Sequence, residues 1–387
     1  HTVTGVTNGT TTNLGTLKVY QSESTASMLM TTKEELFTGL TDNYRDSNAW
    51  PEGSGLSTTN FNNVYKDAIE TKGSYFFYDE KGNLVNSDPV LKKIKGRGNS
   101  SFEASMRIYG KYAYNFNLDT KVALIDGSTA SKKWCLLANN VDHAMMRNTF
   151  VYALADDIGI KYGPETRLLD LYDNGKYLGA YVITEKVENG KNTLMKDMKN
   201  LDDGNEDANI AYYNNEDIMD ELEGHLVQDN TGKVTVNGQT YTYQYTKSDD
   251  ETNWPYMQPS QELTETDITD YNFLLEFELY NRYKNEASWF VSPRTGQAVV
   301  VKYPEFATKD EMEWIIGEYE KAESAIYNNN IDAIKAAVDV DSFAKMYLLQ
   351  ELSINLDSCA TSYYIHNDLA SGKLVSSPVW DYDWAFG

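Results

Sequence analysis

The 387-residue chain carries 34 basic and 58 acidic side chains, a formal charge of −24, with 41% hydrophobic residues. That length and apolar content suffice for two or three packed units. The charge repels phosphate backbones and anionic membranes, which argues against a nucleic-acid partner. No run of about 18 apolar residues occurs, so no membrane span is expected.

In chain order, residues 1–15 are rich in Thr, Gly and Asn and read as a flexible segment. Residues 16–188 read as a mainly antiparallel sheet domain with one helix. Strands are expected at Leu17–Tyr20, Ser27–Thr31, Ser74–Tyr78, Leu91–Lys95 and Trp134–Ala138, with a polar stretch around Pro51, Gly53 and Gly55 and a turn over Tyr78–Asn83. Tyr112, Tyr114, Phe116 and Leu118 alternate along a further strand with one apolar face. Asp142 is expected to cap a helix on which Met146, Phe150, Ala153, Leu154 and Ile158 recur at three and four residues, ending at Gly159. Arg167–Tyr172 and Tyr177–Thr184 flank Asp173-Asn174-Gly175-Lys176, an Asn-Gly hairpin signal.

Residues 189–266 read as an insertion holding a strand at Gln239–Tyr245. In residues 267–387, strands are expected at Phe273–Leu279 and Ala298–Lys302. Thr308 and Glu311 form a capping box opening a helix through Met312, Ile315, Ile316, Tyr319, Ala322 and Ile326. Asp341 is expected to cap another helix, with Phe343, Met346, Tyr347 and Leu349 buried. The fold class is α+β.

The sharpest local signal lies in the last fifty residues. A helix ends near Ile354 and Asn355-Leu356-Asp357 follows. A strand (Thr361–His366), a turn (Asp368–Gly372) and a second strand (Lys373–Val379) then deliver Trp380-Asp381-Tyr382-Asp383. Helix, acidic loop, hairpin and acidic strand end follow one another as in kinase folds, whose chemistry is mostly positioning and charge neutralisation. Asp381 and Asp383, two apart on an extended chain, would share one face. The competing reading makes these residues ordinary turn and cap aspartates.

Lys95-Gly96-Arg97-Gly98-Asn99-Ser100-Ser101 is a second candidate, since its glycines let backbone N–H groups approach an anion and Arg97 can bridge phosphate oxygens. The segment is not a P-loop. The four histidines, His1, His143, His225 and His366, form no metal or hydrolase set, and His366 reads as an ordinary strand residue. Glu276 and Glu278 could suggest a glycosidase pair, although alternation with Phe277 and Leu279 favours a solvated or site-facing edge. Cys135 and Cys359 read as buried free thiols in preference to a disulfide. Few cysteines and 29 tyrosines suit a secreted bacterial surface protein, and the start at His1 suits a processed chain.

Taken in order, several segments resemble the CotH family of spore-coat kinase-like proteins. They are Ile94–Ser100, Lys133–Asn139, Met146-Arg147-Asn148, Asn174–Tyr181 with Thr184-Glu185-Lys186, Val300–Glu305, Asn355-Leu356-Asp357 and Pro378–Asp383. The resemblance spans about Ser27 to Gly387. It implies an atypical protein-kinase-like bilobal fold, an antiparallel sheet N-lobe and a mixed helical C-lobe cut short at Gly387. It also implies ATP with Mg²⁺ or Mn²⁺, and phosphorylation of Ser on secreted, surface or coat proteins. By that resemblance Asp357 is the catalytic Asp, Asp381 a metal ligand and Asp383 a second one. Arg97, Gly98, Asn99 and Ser100 would replace the kinase Gly-rich loop, while Glu185 and Lys302 would lie at the nucleotide. One departure stands out: relatives carry basic residues where this chain has Asn115 and Asn117, leaving Lys111, Arg107 or Lys302 to compensate. The alternative is therefore an inactive kinase-like module of an extracellular assembly, such as a cellulosome or cell surface, with carbohydrate recognition as a variant.

Overall fold

The computed structural model describes residues 2–7, 10–16, 24–34, 36, 70–98, 101–102, 110–190, 193–200, 231–236, 239–246, 248, 250–259, 268–358 and 360–387. The expected strand at Leu17–Tyr20, the polar stretch around Pro51, and Asn99, Ser100, Arg107 and Cys359 lie outside these residues. The chain is α+β. Strands β1 (Thr2–Thr7) and β2 (Thr10–Thr16) pair antiparallel as a hairpin.

Seven strands close a barrel in the order β3 (Ala26–Thr32), β4 (Thr71–Tyr78), β5 (Val90–Gly96), β6 (Tyr114–Val122), β7 (Ser131–Leu137), β9 (Lys176–Glu185) and β8 (Thr166–Asp173). Period-two alternation builds its core: Met28 and Met30, Tyr75 and Phe77, Tyr114, Phe116 and Leu118, and Leu169 and Leu171 are all buried. β8 and β9 join through Asn174 (φ 49°) and Gly175 (φ 78°), the left-handed pair that a two-residue hairpin turn needs. The barrel closes by parallel pairing of β3 with β8, Ala26 opposite Leu169. Buried Asp173 pins that seam, accepting from Thr32 N at 3.2 Å and Thr32 Oγ1 at 3.0 Å. Gly73 lets β4 lie close to its neighbour, since a Cβ there would come within 2.0 Å of Thr31 O.

Contacts divide the chain into two compact units, residues 1–124 with 134–140 and 167–183, and residues 125–133 with 141–166 and 184–387. The first holds the barrel; its β7 and β9 cross the division. Helix α1 (Arg147–Asp157) groups with the second unit and begins later than expected. Asp142 does not cap it. That carboxylate accepts from Ala144 N at 3.1 Å and Arg147 N at 2.8 Å and so holds the turn before the helix. The buried side chains are Asn148, Val151, Tyr152 and Ala155, whereas Met146 and Phe150 are exposed. The reason is polar: Asn148 Oδ1 accepts from Tyr382 N at 2.7 Å, and Tyr152 stacks on Trp380. Apolar periodicity does not register a face buried for its hydrogen bonds.

Also in the second unit, β10 (Thr231–Val236), β11 (Gln239–Thr246) and β12 (Tyr256–Pro259) form a small sheet. Met257 N donates to Ala307 O at 2.8 Å and ties this segment to the main sheet's surroundings. That main sheet is antiparallel, in the order β14 (Trp289–Val291), β15 (Ala298–Tyr303), β13 (Leu274–Glu278), β16 (Tyr363–Asp368) and β17 (Lys373–Ser376). Helix α2 (Lys309–Tyr327) packs Met312, Ile315 and Tyr319 into a core with Leu275, Val299, Val301 and Ile365. Its expected Thr308–Glu311 capping box is present. Helix α3 (Ile331–Ala337), unmarked by any strong sequence signal, is capped by Asn330. Helix α4 (Val340–Ser353) is capped by Asp339 rather than Asp341, whose carboxylate pairs instead with Lys345 at 2.8 Å. Met346 and Leu349 are buried as expected, but Tyr347 is 62% exposed.

Candidate active site

The site grows from the C-terminal end of α4. Ile354 adopts a left-handed conformation (φ 48°) and turns the chain into Asn355-Leu356-Asp357. Asn355 is buried and bridges two loops: its Oδ1 accepts from Asp357 N at 3.3 Å, and its Nδ2 donates to Asp381 O at 3.4 Å. Asp357 O accepts from Ala360 N and Thr361 N, which tightens the loop. Ser362 Oγ then donates to Asp381 Oδ2 at 3.2 Å. Both expected aspartates therefore belong to one hydrogen-bonded constellation.

Its electrostatics are those of a crowded acidic site. The Asp357 carboxyl is pushed above its ordinary value, first by burial, then by Asp381 and Glu278, with Arg282 opposing. Like charges held together raise the cost of ionising both. Ser362 (φ 55°) and Asp381 (φ 64°) occupy the left-handed region, which non-glycine residues enter at a cost unless their surroundings over-determine them. For Asp381 the surroundings do so: Tyr152 Oη accepts from Asp381 N at 3.4 Å, and Asn148 takes the next N–H.

Asp383 departs from expectation. β17 ends at Ser376, Asp381 is left-handed and residues 383–386 form a turn. The two-residue alternation of an extended strand therefore does not put Asp383 on the same face as Asp381. Its backbone carbonyl accepts from Arg147 Nη1 at 2.8 Å.

Glu276 and Glu278 are buried on the central strand β13, so the solvated-edge reading fails and the site-facing one stands for Glu278. Glu278 Oε1 accepts from Leu279 N at 2.6 Å and Thr361 Oγ1 at 2.8 Å, with Arg282 Nε 3.4 Å away. It thereby anchors the loop that carries Asp357. Glu276 shares Lys302 with Glu286, the ammonium lying 3.7 Å and 3.0 Å from the two carboxylates. Burial alone would push Lys302 down; Glu286, Glu276 and Glu305 outweigh it and hold the lysine above its ordinary value. One cation cannot serve two buried carboxylates equally. Burial pushes Glu276 up to about 7 despite Lys302, with Glu278 and Glu286 adding to the rise. Lys302, expected at the nucleotide, is thus engaged by acids of its own unit.

Glu185 is equally committed. Its buried carboxylate accepts from Thr129 N at 3.0 Å and Glu165 N at 3.2 Å, and burial is the main cause of its raised pKa. Of the expected phosphate loop, Arg97 and Gly98 are described and belong to the barrel unit. Arg97 N donates to Ala113 O at 3.0 Å. Gly98 takes φ 91°, with Ser101 Oγ only 2.3 Å from where a Cβ would stand. Sequence reasoning missed Ser362 and Arg282 and gave Glu278 no role at the loop. A serine beside an acidic loop and an Arg four residues after a strand Glu are its only traces.

Among the described residues, no group of three or more His, Cys, Asp or Glu side chains is arranged to hold a metal ion. A Mg²⁺ site does not need one. This ion takes one or two carboxylates and keeps its remaining positions for water and phosphate oxygens, and Asp381, whose charge reaches Asp357, fits that donor set. No helix among the described residues is long and apolar enough to cross a membrane. No curated protein matches the chain. The sequence profile of the family described as "CotH kinase protein" matches residues 94–387, well over half of the chain.

Proposed function

Because this chain belongs to the CotH kinase family, we propose that it is a secreted or cell-surface kinase that transfers phosphate from ATP to serine hydroxyls of surface or coat proteins. The observation that carries this reading is the Asp357–Asp381 pair, joined through Asn355, with Ser362 donating to the Asp381 carboxylate. Asp357, pushed up by burial and by Asp381, is the better base for it, since a general base works best with its pKa near the working pH. It accepts the serine proton while Asn355 and the Thr361–Glu278 bond fix its loop. Asp381 would hold Mg²⁺ or Mn²⁺, which when bound neutralises charge on the phosphate being transferred. Arg97 and Gly98 would meet the nucleotide phosphates. In this reading the barrel takes the role of the kinase sheet lobe, and the second unit that of the catalytic lobe.

A second reading, an inactive binding module of an extracellular assembly, is favoured by one observation. Asn115 carries no charge on β6, and its Oδ1 is spent accepting from the Cys135 thiol at 3.2 Å. Calorimetry with ATP, with and without Mg²⁺ or Mn²⁺, combined with transfer from γ-labelled ATP to a serine-containing acceptor, separates the two. The kinase reading expects metal-dependent binding and transfer, loss of transfer with retained binding in Asp357→Asn, and loss of metal-dependent binding in Asp381→Asn. A parent protein that neither binds nor transfers rejects it in favour of the module.

A further inference from the structure

Among the described residues of the barrel, one lysine has no acid partner. Lys111 lies just after Gly110, where the chain returns toward β6, and Arg97 N on Ala113 O closes this end of the β5–β6 pair. Its Nζ donates to Ala138 O at 2.7 Å and sits 4.6 Å from the centre of the Tyr181 ring. Asn140 Nδ2 donates to Lys111 O at 2.7 Å and clamps the backbone beneath it. Gly179, at φ 123°, leaves room for the stem: a Cβ there would stand 3.2 Å from Lys111 Cε. Among the described residues no carboxylate forms an ion pair with Lys111. Burial accordingly depresses its ammonium to about 8.

Next in sequence to its carbonyl partner is a donor that has no acceptor among the described residues. Asn139, adjacent in sequence to the carbonyl that receives Lys111, is 8% exposed, and its Nδ2 has no hydrogen-bond partner among the described residues. A buried donor left unmade costs on the order of 1–3 kcal/mol, and a desolvated cation without a counter-charge adds to that. An anion would complete both groups. Lys111 has N–H donors beyond the one given to Ala138, and both groups lie in the barrel unit with the Gly-Arg-Gly turn.

We propose that Lys111 and Asn139 form an anion site of the barrel that takes a phosphate group, and that Lys111 supplies the positive charge Asn115 and Asn117 cannot. That the phosphate belongs to a nucleotide rests on the kinase reading; that an anion binds there does not.

The test is calorimetry of the parent, Lys111→Met and Asn139→Gly with ATP, inorganic tripolyphosphate and adenosine, alongside melting curves. Gly suits the left-handed φ of 50° at position 139. Lys111→Met gives up the bond to Ala138 O together with the desolvated charge, and is expected to melt close to the parent without ligand. It should weaken tripolyphosphate and ATP roughly 10-fold or more, as loss of a charge-assisted contact does, and leave adenosine unaffected. Asn139→Gly should weaken the same two ligands several-fold. Tripolyphosphate binding that depends on Lys111 while the parent ignores ATP and adenosine would keep the anion site and reject the kinase reading. ATP binding unchanged by Lys111→Met would reject the anion site and keep the kinase. A Lys111→Met protein that melts lower and binds tripolyphosphate like the parent makes Lys111 a structural residue.

Discussion

Replacing Glu276 by Gln exposes the imbalance around Lys302. In the folded protein this carboxyl titrates near 7 instead of 4.5, because burial outweighs its share of Lys302. A carboxyl whose pKa rises on folding carries no penalty below about pH 4.5, where both states are protonated. The penalty grows as pH rises and is complete above about 7. At about 1.4 kcal/mol per pH unit, the shift from 4.5 to about 7 is worth roughly 3 kcal/mol at most. Gln keeps the shape and can still bond Tyr364, the side-chain hydrogen-bond partner of Glu276, but it does not ionise. Urea midpoints of parent and Glu276→Gln should therefore nearly coincide at about pH 5 and separate at about pH 8.5, the variant becoming more stable by up to about 3 kcal/mol. The difference between the two proteins is the informative quantity, because His366 pulls the parent's own profile the other way. Burial lowers that imidazole to about 4, so its contribution is lost as pH falls from 6.5 through 4. A gap of equal size at both pH values would refute the reasoning and mean that Lys302 keeps Glu276 ionised throughout.

Other substitutions probe the frame. Gly73→Ala would drive a Cβ to 2.0 Å from Thr31 O; about 3 kcal/mol or more should be lost in chemical denaturation. Thr308→Ala removes one half of the capping box of α2 and should cost about 1 kcal/mol. Glu311→Ala should cost more, because it also strips the buried Tyr271 hydroxyl of an acceptor at 2.6 Å. Equal losses for the two would show that the tyrosine contact contributes nothing.

The parts of the fold written in local chemistry were legible. Asn174-Gly175 makes its hairpin and Thr308 with Glu311 its capping box, because each signal acts within a few residues. The order of Asp357 and Asp381 around a hairpin was legible for the same reason. What escaped was set by distant partners. Asn148 and Tyr152 turn α1 inward because they serve the backbone and ring of residues 380–382. Alternation failed at Asp383 because Asp381 leaves the extended region. Glu276 and Glu278 read as an edge pair, yet pairing with β15 on one side and β16 on the other makes β13 an inner strand.

The parallel seam between β3 and β8 also sets a delay in synthesis. Thr32 and its partner Asp173 stand 141 positions apart, and ribosomes add roughly 5–20 residues each second. For on the order of ten seconds, β3 can pair with β4 while its other edge, a row of open amides and carbonyls, has nothing to bind. Such an edge is a template for strands from other nascent chains. Production of this protein in quantity therefore turns on what shields β3 until β8 emerges, and slower growth at lower temperature or added holdase should raise the soluble yield.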